Sequence, residues 1–568
     1  MPKIVTVEEM RAIEAATDAA GVSYAEMMDR AGRAVADVIK ERIAGLEGAR
    51  VVVLVGPGNN GGDGLVAGRL VAEETDAAVS FYLLKARDKS DANYAKVKKA
   101  GLAIVEADHD KDRSALREVA LDADVIVDAL LGTGARLPIT GAMAEALAVV
   151  GEALDARRAA VGGLFNYSTP AEPRAAWEDQ GPFVVAVDCP SGLDCDTGEL
   201  DPAALEADDT VTFAAVKTGQ LRFPGAAALG RLHVADIGTP PDLEALNKIA
   251  LELADGPMVQ RLLPARPRDA HKGTFGKALV VAGSANYVGA AALAAMSAYR
   301  VGAGWVTVAA PEIVVPMLAS GLTETTWLYL PHDMGVLAPP AVKVLRDELA
   351  PYTAMLLGPG WGQEKATEDF LCELLQPETP KGRRAIGFIQ TETAAGAASR
   401  HPALPPLVID ADGLNLLAKL ENWPSLLPPG TILTPHPGEM ARLCGVDRDA
   451  VQADRIGVAR ARAAAWKCVI VLKGAFTVVA APDGRVCVTP FATPALARAG
   501  TGDVLAGAIV GFRAQGLEPF AAAVAGAYVH GLAGQEAAEA LLTPASVTAG
   551  DVRDMLSMAM AMVQSAVR

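Results

Sequence analysis

The sequence predicts two consecutive α/β domains, each built on a parallel sheet covered by helices. Three observations point there. Short, continuously apolar strands such as 50–55 (RVVVLV) and 469–472 (VIVL) alternate with helical stretches through both halves. Strands of that kind are buried on both faces. Several of them run directly into glycine-rich or acidic motifs, and open parallel sheets bind ligands at the carboxyl ends of their strands. Between the halves, residues 238–270 change character: Thr239-Pro240-Pro241, a helical patch, Pro264, Pro267, and the cations Arg261, Arg266 and Arg268. That stretch reads as a connection, which gives domains at 1–240 and 255–568.

In the first half, residues 7–40 read as two amphipathic helices broken near Gly21–Ser23. A strand at 50–55 leads into a glycine loop at 56–64 and a helix at 65–73. Strands follow at 79–84, at 123–127 ending on Asp128, at 183–187 ending on Asp188, and at 211–213 and 232–234. In the second half, a strand at 277–282 precedes a helix at 289–301 and a strand at 305–309. Strands at 354–357, 407–409, 431–433 and 469–472 deliver GPGWG, DADGLN, TPHPGE and KGAF, and a helix at 503–512 closes the pattern. Residues 159–180 and 383–406 carry no clear period and read as mobile insertions.

The composition narrows the function. A chain of 568 residues, 51% hydrophobic and 21% charged, can bury large cores. A net charge of −17 argues against nucleic acid or an anionic membrane as the main partner. The six cysteines, Cys189, Cys195, Cys372, Cys444, Cys468 and Cys487, form no CxxC pair and no Cys/His metal pattern. Free thiols in a reducing cytosol are the simplest reading. Residues 519–535 are uncharged but too small and too few to span a bilayer, so a buried helix is expected.

Two motifs open the question of chemistry. In AGTGDVLAG (499–507), glycines and a threonine sit where a loop becomes a helix, with Asp503 in the first turn. The unpaired N–H groups of a helix start suit phosphate. A carboxylate there is unfavourable unless it works, for instance by taking a proton from a substrate hydroxyl. The segment reads equally as a capped helix start. In GPGNNGGDG (56–64), Gly56, Gly58 and Gly61 match a dinucleotide fingerprint, but the next strand ends in Lys85 and Arg87 rather than an acid. Ordinary ribose binding by a hydride-transfer enzyme is therefore not supported. Asn60, Asp128 and Ser191 stand at three strand ends; one carboxylate with neutral oxygens fits a large, undemanding cation better than Mg²⁺, or they are three unrelated loop residues.

GPGNNGGDGLVAGR, VDALLGTG, AVDCPSGLDCDTG and TFAAVKTG, in that order over about residues 5–240, resemble the epimerase domain of the NAD(P)H-hydrate repair family. The resemblance implies a Rossmann-like domain that interconverts the R and S hydrates at C6 of the reduced nicotinamide ring. It implies cofactor binding by Asn59, Asn60, Gly61, Gly62 and Asp63, by the loop Gly132, Thr133, Gly134, Ala135, Arg136, Leu137 and Pro138, and by Asp188. It also implies a potassium ion on Asn60, Asp128 and Ser191. Ring opening, or loss and return of water, needs a proton shuttle. Asp188 is one candidate; Lys217 is the second, unless it is a phosphate contact or a surface cation.

HKGTFG, GSANYVGAAALAA, GPGWG, DADGLN, LTPHPGE, LKGAFTVV and AGTGDVLAG, over about residues 255–565, resemble the dehydratase domain of the same family, which has a ribokinase-like fold. The fusion matches the bifunctional bacterial form. No Walker P-loop occurs, which agrees with that fold. The resemblance implies adenine-nucleotide contacts by Lys473, Gly474, Ala475, Phe476, Thr477 and Gly502. It implies hydrate contacts by Ala291, Gly360, His436 and Asp503. Asp503 would take the hydroxyl proton while the oxygen attacks the terminal phosphate of ADP, with Mg²⁺, and the phosphate ester would then leave. Asp410 and Asp412 either support magnesium or hydrogen bonding, or cap a turn. The resemblance further implies a cytoplasmic homo-oligomer. A small-molecule kinase with an N-terminal ligand-binding module is the alternative; it would accumulate a stable phosphate ester.

Overall fold

The computed structural model describes residues 2–88, 90–161, 182–376 and 403–565. The stretches expected as insertions, 159–180 and 383–406, fall almost wholly outside them. The chain divides into two compact units, Pro2–Ile249 and Ala250–Arg568.

The first unit opens with α1 (Val7–Ala19) and α2 (Tyr24–Arg42). Each starts on a capping box, Thr6 with Glu9 and Ser23 with Glu26, which explains the break expected near Gly21. The sheet holds seven strands: β1 (Arg50–Val55), β2 (Ala78–Leu83), β3 (Ala103–Glu106), β4 (Val125–Ala129), β5 (Phe183–Val187), β6 (Asp209–Phe213) and β7 (Arg231–Ala235). Their order is β3-β2-β1-β4-β5-β6-β7, and every pairing is parallel. Val51, Val53 and Val55 of β1 join one buried cluster while Val52 and Leu54 join another, so both sheet faces are covered. The order reverses between β1 and β4, which makes the gap beyond their carboxyl ends the natural ligand crevice.

One element differs from expectation. The glycine stretch is not a loop through Gly64: α3 (Asn59–Glu74) already begins at Asn59. The reason is packing. A Cβ on Gly64 would lie 2.5 Å from Ala129 Cβ, and one on Gly61 would lie 2.1 Å from Gly56 O. The glycines let the helix start press against β4 and its own entry turn.

The main sheet of the second unit holds ten strands: β8 (Leu251–Leu253), β9 (Lys277–Val281), β10 (Trp305–Pro311), β11 (Thr326–Leu330), β12 (Ala354–Leu357), β13 (Leu407–Ile409), β14 (Ile432–Leu433), β15 (Val469–Leu472), β16 (Val478–Ala480) and β17 (Val486–Val488). The order is β8-β17-β16-β15-β14-β13-β12-β9-β10-β11. The seven strands from β11 to β15 are parallel, β16 pairs antiparallel with both neighbours, and β8 runs parallel to β17. Residues 238–270 are therefore not a plain connection, since β8 lies within them. Leu251 and Leu253 flank Glu252 opposite Val486 and Val488, a run too short to show its period.

Helices α4 (Val288–Arg300), α5 (Pro437–Cys444), α6 (Arg455–Trp466), α7 (Thr501–Ala514), α8 (Pro519–Ala540) and α9 (Ala549–Ser565) matter to the site. A Cβ on Gly507 would lie 2.2 Å from Ala294 O, so α7 and α4 approach backbone to backbone. The helix expected near 519–535 is α8, and Ala522, Ala523, Ala525 and Val529 on it are buried. Among the described residues no helix is long and apolar enough to cross a membrane.

Candidate active sites

In the first unit, strand ends β1, β4, β5 and β6 converge. Asp188 leaves β5 with φ +65°, a left-handed conformation uncommon outside glycine. Its Oδ1 accepts from Lys217 Nζ at 2.6 Å and from Thr212 Oγ1 at 3.2 Å, and its Oδ2 accepts from the Thr133 N–H at 3.2 Å. Gln220 Nε2 donates to the Asp188 carbonyl at 2.8 Å. Lys217 is 1% exposed and donates also to Thr212 Oγ1 and Phe213 O. It is held there by a short parallel pairing of Ile4–Val5 with Val216–Lys217. Lys217 is thus no surface cation.

Two further acids face this pair electrostatically. Burial, then Asp188, then Glu14 hold the Asp63 carboxyl well above its usual range. Burial and then Asp188 also raise Glu14 of α1, against the pull of Lys217.

Asp128, Ser191 and Asn60 gather around the turn after β4. Ser191 donates to Asp128 twice, N–H to Oδ2 at 2.7 Å and Oγ to Oδ1 at 2.6 Å, while its Oγ accepts from the Leu131 N–H at 2.9 Å. A Cβ on Gly132 would lie 3.0 Å from Asp188 Oδ2 and 3.1 Å from Asn60 Oδ1. Asp128 is fully buried and has no Lys or Arg partner among the described residues. Burial raises its carboxyl, with the Ser191 and Leu130 bonds opposing. The Asn60 amide nitrogen is buried without a partner. Asp128 is thus a buried carboxylate bonded to Ser191 and lacking a cation, with Asn60 Oδ1 near Gly132 of the turn that follows; one carboxylate with neutral oxygens suits a monovalent cation. No cluster of three His, Cys, Asp or Glu that could hold a metal occurs among the described residues.

In the second unit, β13, β14 and β15 and the start of α7 build the counterpart. Gly500, at φ +91°, precedes α7, and no side chain caps its first turn. Asp503 lies in that turn. Burial first, then Asp410, pushes its carboxyl up to about 7, with Lys473 opposing. Lys473 Nζ lies 2.6 Å from Asp410 Oδ1 and 3.7 Å from Glu439 Oε2. A Cβ on Gly502 would stand 3.4 Å from that ammonium. Burial works to lower Lys473, but Asp410, Glu439 and Asp503 together hold it above the usual lysine range. Asp410 Oδ2 is buried without a partner.

His436 stands just before α5 and caps it. Its Nδ1 accepts from the Gly438 N–H at 3.0 Å and the Glu439 N–H at 3.4 Å, while Glu439 Oε2 accepts from the His436 N–H at 2.8 Å. Nδ1 being an acceptor, the neutral ring carries its proton on Nε2. Burial, then Lys473, pulls His436 down to about 4. Burial lifts Glu439 to about 7. His530 of α8 bonds Thr501 O through Nε2 at 2.9 Å, bracing the start of α7.

A family model described as NAD(P)H-hydrate dehydratase matches residues 278–557, and one described as YjeF-related protein N-terminus matches residues 24–219. The bifunctional NAD(P)H-hydrate repair enzyme of Moorella thermoacetica is 36% identical over 93% of this chain and 91% of its own length. Its counterpart in Thermofilum pendens is 34% identical over 94% and 92%. The chain belongs to the bifunctional NAD(P)H-hydrate repair enzyme family. An ADP/ATP-dependent NAD(P)H-hydrate dehydratase from Bacillus subtilis, a solved structure obtained with ATP and Mg²⁺, is 30% identical, with TM-score 0.44, over 55% of this chain and 98% of that one.

For this repair-family chain, the site residues expected from sequence separate into groups. Asn60, Gly61, Gly62 and Asp63 lie buried in the first turns of α3, while Asn59 is exposed at its tip. Gly132, Thr133 and Ala135 are half-buried, and Gly134, Arg136 and Pro138 are exposed. Gly360, at φ +64°, packs against Tyr287, its added Cβ only 2.7 Å from Tyr287 O. Ala291 is fully buried in the core, so the helix start meets solvent through Gly289 and Ala290 instead. Asp410 is buried and bonded to Lys473 and Thr434, whereas Asp412 accepts the Gly362 N–H. Sequence reasoning missed Glu14, which carries no local signature. It also passed over Glu439, although TPHPGE contains it.

Proposed function

We propose that the first unit epimerises the R and S hydrates of NADH and NADPH, and that the second dehydrates the S form at the expense of ADP. The observation that supports this most is Asp503. Its carboxyl stands near 7 on an uncapped helix start, beside the Lys473–Asp410 pair. A base of that strength is half ionised at neutral pH and can take a hydroxyl proton.

Asp503 takes the proton of the C6 hydroxyl, and the oxygen attacks the terminal phosphorus of ADP, releasing AMP. First-turn N–H groups around Gly502 stabilise the charge on the transferring phosphoryl. The C–O bond then breaks, driven by the lone pair of the ring nitrogen, and phosphate departs. Loss of the C5 proton restores the dihydropyridine. The kinase alternative lacks this last pair of steps, and full-length likeness to repair enzymes does not favour it.

In the first unit, Asp188 is the proposed proton shuttle, with Lys217 setting its charge and orientation. Asn60, Asp128 and Ser191 would hold the potassium ion, whose charge would balance the buried Asp128. Asn59 to Asp63 and residues 132–138 would hold the hydrated cofactor. In the second unit, Asp410 and Glu439 are already paired with Lys473 and Asp412 accepts a backbone N–H, so Mg²⁺ would enter mainly with the nucleotide phosphates rather than on a dedicated protein cage. A cytoplasmic homo-oligomer remains the proposed state; six free thiols support the compartment. The deciding experiment incubates the purified protein with mixed NADH hydrates and either ADP or ATP and follows the dihydronicotinamide absorbance. Full recovery without a persistent phosphate ester is expected. Accumulation of that ester would overturn the dehydratase reading.

A further inference from the structure

Arg455 opens α6 and belongs to none of the motifs above. Its guanidinium is largely buried and makes no ion pair among the described residues, and burial alone pulls it down to about 10. A buried cation without a carboxylate is costly. Every bond it makes goes to one turn of main chain: Nη1 donates to Ala475 O, and Nη2 donates to Leu472 O at 3.1 Å and to Lys473 O at 3.2 Å.

That turn is KGAFT, and the bonds dictate which way its amides face. Across a trans peptide, the C=O of one residue and the N–H of the next point in opposite directions. Arg455 draws the Lys473 carbonyl toward itself, so the Gly474 N–H faces away from the guanidinium. Thr477 Oγ1 donates to the Gly474 carbonyl at 2.9 Å, which turns the Ala475 N–H away from the Thr477 hydroxyl, while Arg455 holds the Ala475 carbonyl from its other side. The flanking amides are used: Lys473 N–H donates to Pro435 O at 2.9 Å and Phe476 N–H to Phe491 O at 2.8 Å. The Gly474 and Ala475 N–H groups have no acceptor among the described residues. Gly474 suits the turn by its φ of +144°, and a Cβ there would press on Arg455 Nη2 at 2.9 Å.

We propose that Arg455 is a positioning residue for the second reaction: it holds the 473–477 turn so that the Gly474 and Ala475 amides face a phosphate of the nucleotide co-substrate. Two successive N–H groups of this kind form an anion-binding concavity, and the Lys473 ammonium stands next to it. The inference rests on the nucleotide role given to residues 473–477.

The test compares Arg455→Met and Arg455→Lys with the parent full-length protein. ADP affinity is measured by calorimetry, and KM and kcat by recovery of NADH absorbance; the thermal unfolding transition of the second unit, to which Arg455 belongs, checks its folding. Arg455→Met is expected to raise both Kd and KM for ADP by roughly tenfold, the scale of one to two lost hydrogen bonds. Its kcat at saturating ADP should stay within about twofold. Arg455→Lys, able to reach some carbonyls without the planar fork, should fall between; if Arg455→Met does not fold, Arg455→Lys decides alone. ADP affinity within twofold of the parent in both variants would overturn the proposal, as would a loss confined to kcat. A parent protein that binds no adenine nucleotide would instead sink the role given to the turn itself.

Discussion

Lys217 Nζ and Asp188 Oδ1 stand 2.6 Å apart in a site where the lysine is 1% exposed. Neither charge can be removed alone without leaving the other stranded. Breaking a buried pair from one side costs about 3–5 kcal/mol. Lys217→Met should therefore lower the thermal midpoint of the first unit more than the double change with Asp188→Ala does. Scanning calorimetry of the three variants checks this coupling.

Asp188→Ala should stop turnover of the R hydrate while S-hydrate dehydration continues. R-hydrate consumption that stays above the spontaneous rate would refute the shuttle role.

Asp503→Asn should lower dehydration by about 10²–10⁴, the usual contribution of a positioned general base, and leave epimerisation near the parent rate. Loss of both activities would contradict two separate sites.

The pH dependence follows from the carboxyls near 7. Asp503 must be ionised to act, so kcat/KM for dehydration should rise with pH and reach half its plateau near 7. Glu439 titrates in the same range, so the limb belongs to the pair until they are separated. Glu439→Gln should keep a single limb, moved to lower pH because one of the charges opposing Asp503 ionisation is gone. His436, held near 4, adds no limb between 5 and 9. Stability runs the opposite way. With the folded carboxyl raised above its unfolded value, burial of Asp503 costs nothing below about pH 4 and progressively more up to about 7. Asp503→Asn should consequently raise the thermal midpoint at pH 8 and not at pH 4.

Gly132→Ala should disable the first unit alone. The new Cβ would stand 3.0 Å from Asp188 Oδ2 and 3.1 Å from Asn60 Oδ1, and Asp188 is already held by Lys217, Thr212 and Thr133. Epimerase activity should drop at least about tenfold, and replacing K⁺ in the buffer by tetramethylammonium should reduce the parent rate in the same assay while dehydration is unaffected.

The sequence was most legible where chemistry and local structure coincide. Strands 50–55, 183–187 and 469–472 fall where their apolar runs placed them, and Asp188 and Lys217 meet although 29 residues separate them. Glycine was the main source of error. In GPGNNGGDG it signalled a turn, whereas Gly61, Gly62 and Gly64 serve a helix that must pack without side chains. Arg455 was invisible for another reason: its partners are carbonyls, which every residue possesses. Glu14 reaches the Asp188 site from α1, a tertiary approach that no local pattern encodes.

Strand β8 has a practical consequence for dissecting the chain. The dehydratase family model begins at residue 278, yet Leu251–Leu253 already cover the rim of β17. A truncated protein started at Ala278 would leave the N–H and C=O row of Val486–Val488 open to any passing chain, an invitation to intermolecular strand addition. Cutting instead at Ala250 keeps β8 on that rim and Met258 and Val259 in the core, so a soluble second half and an aggregating one should differ by fewer than thirty residues.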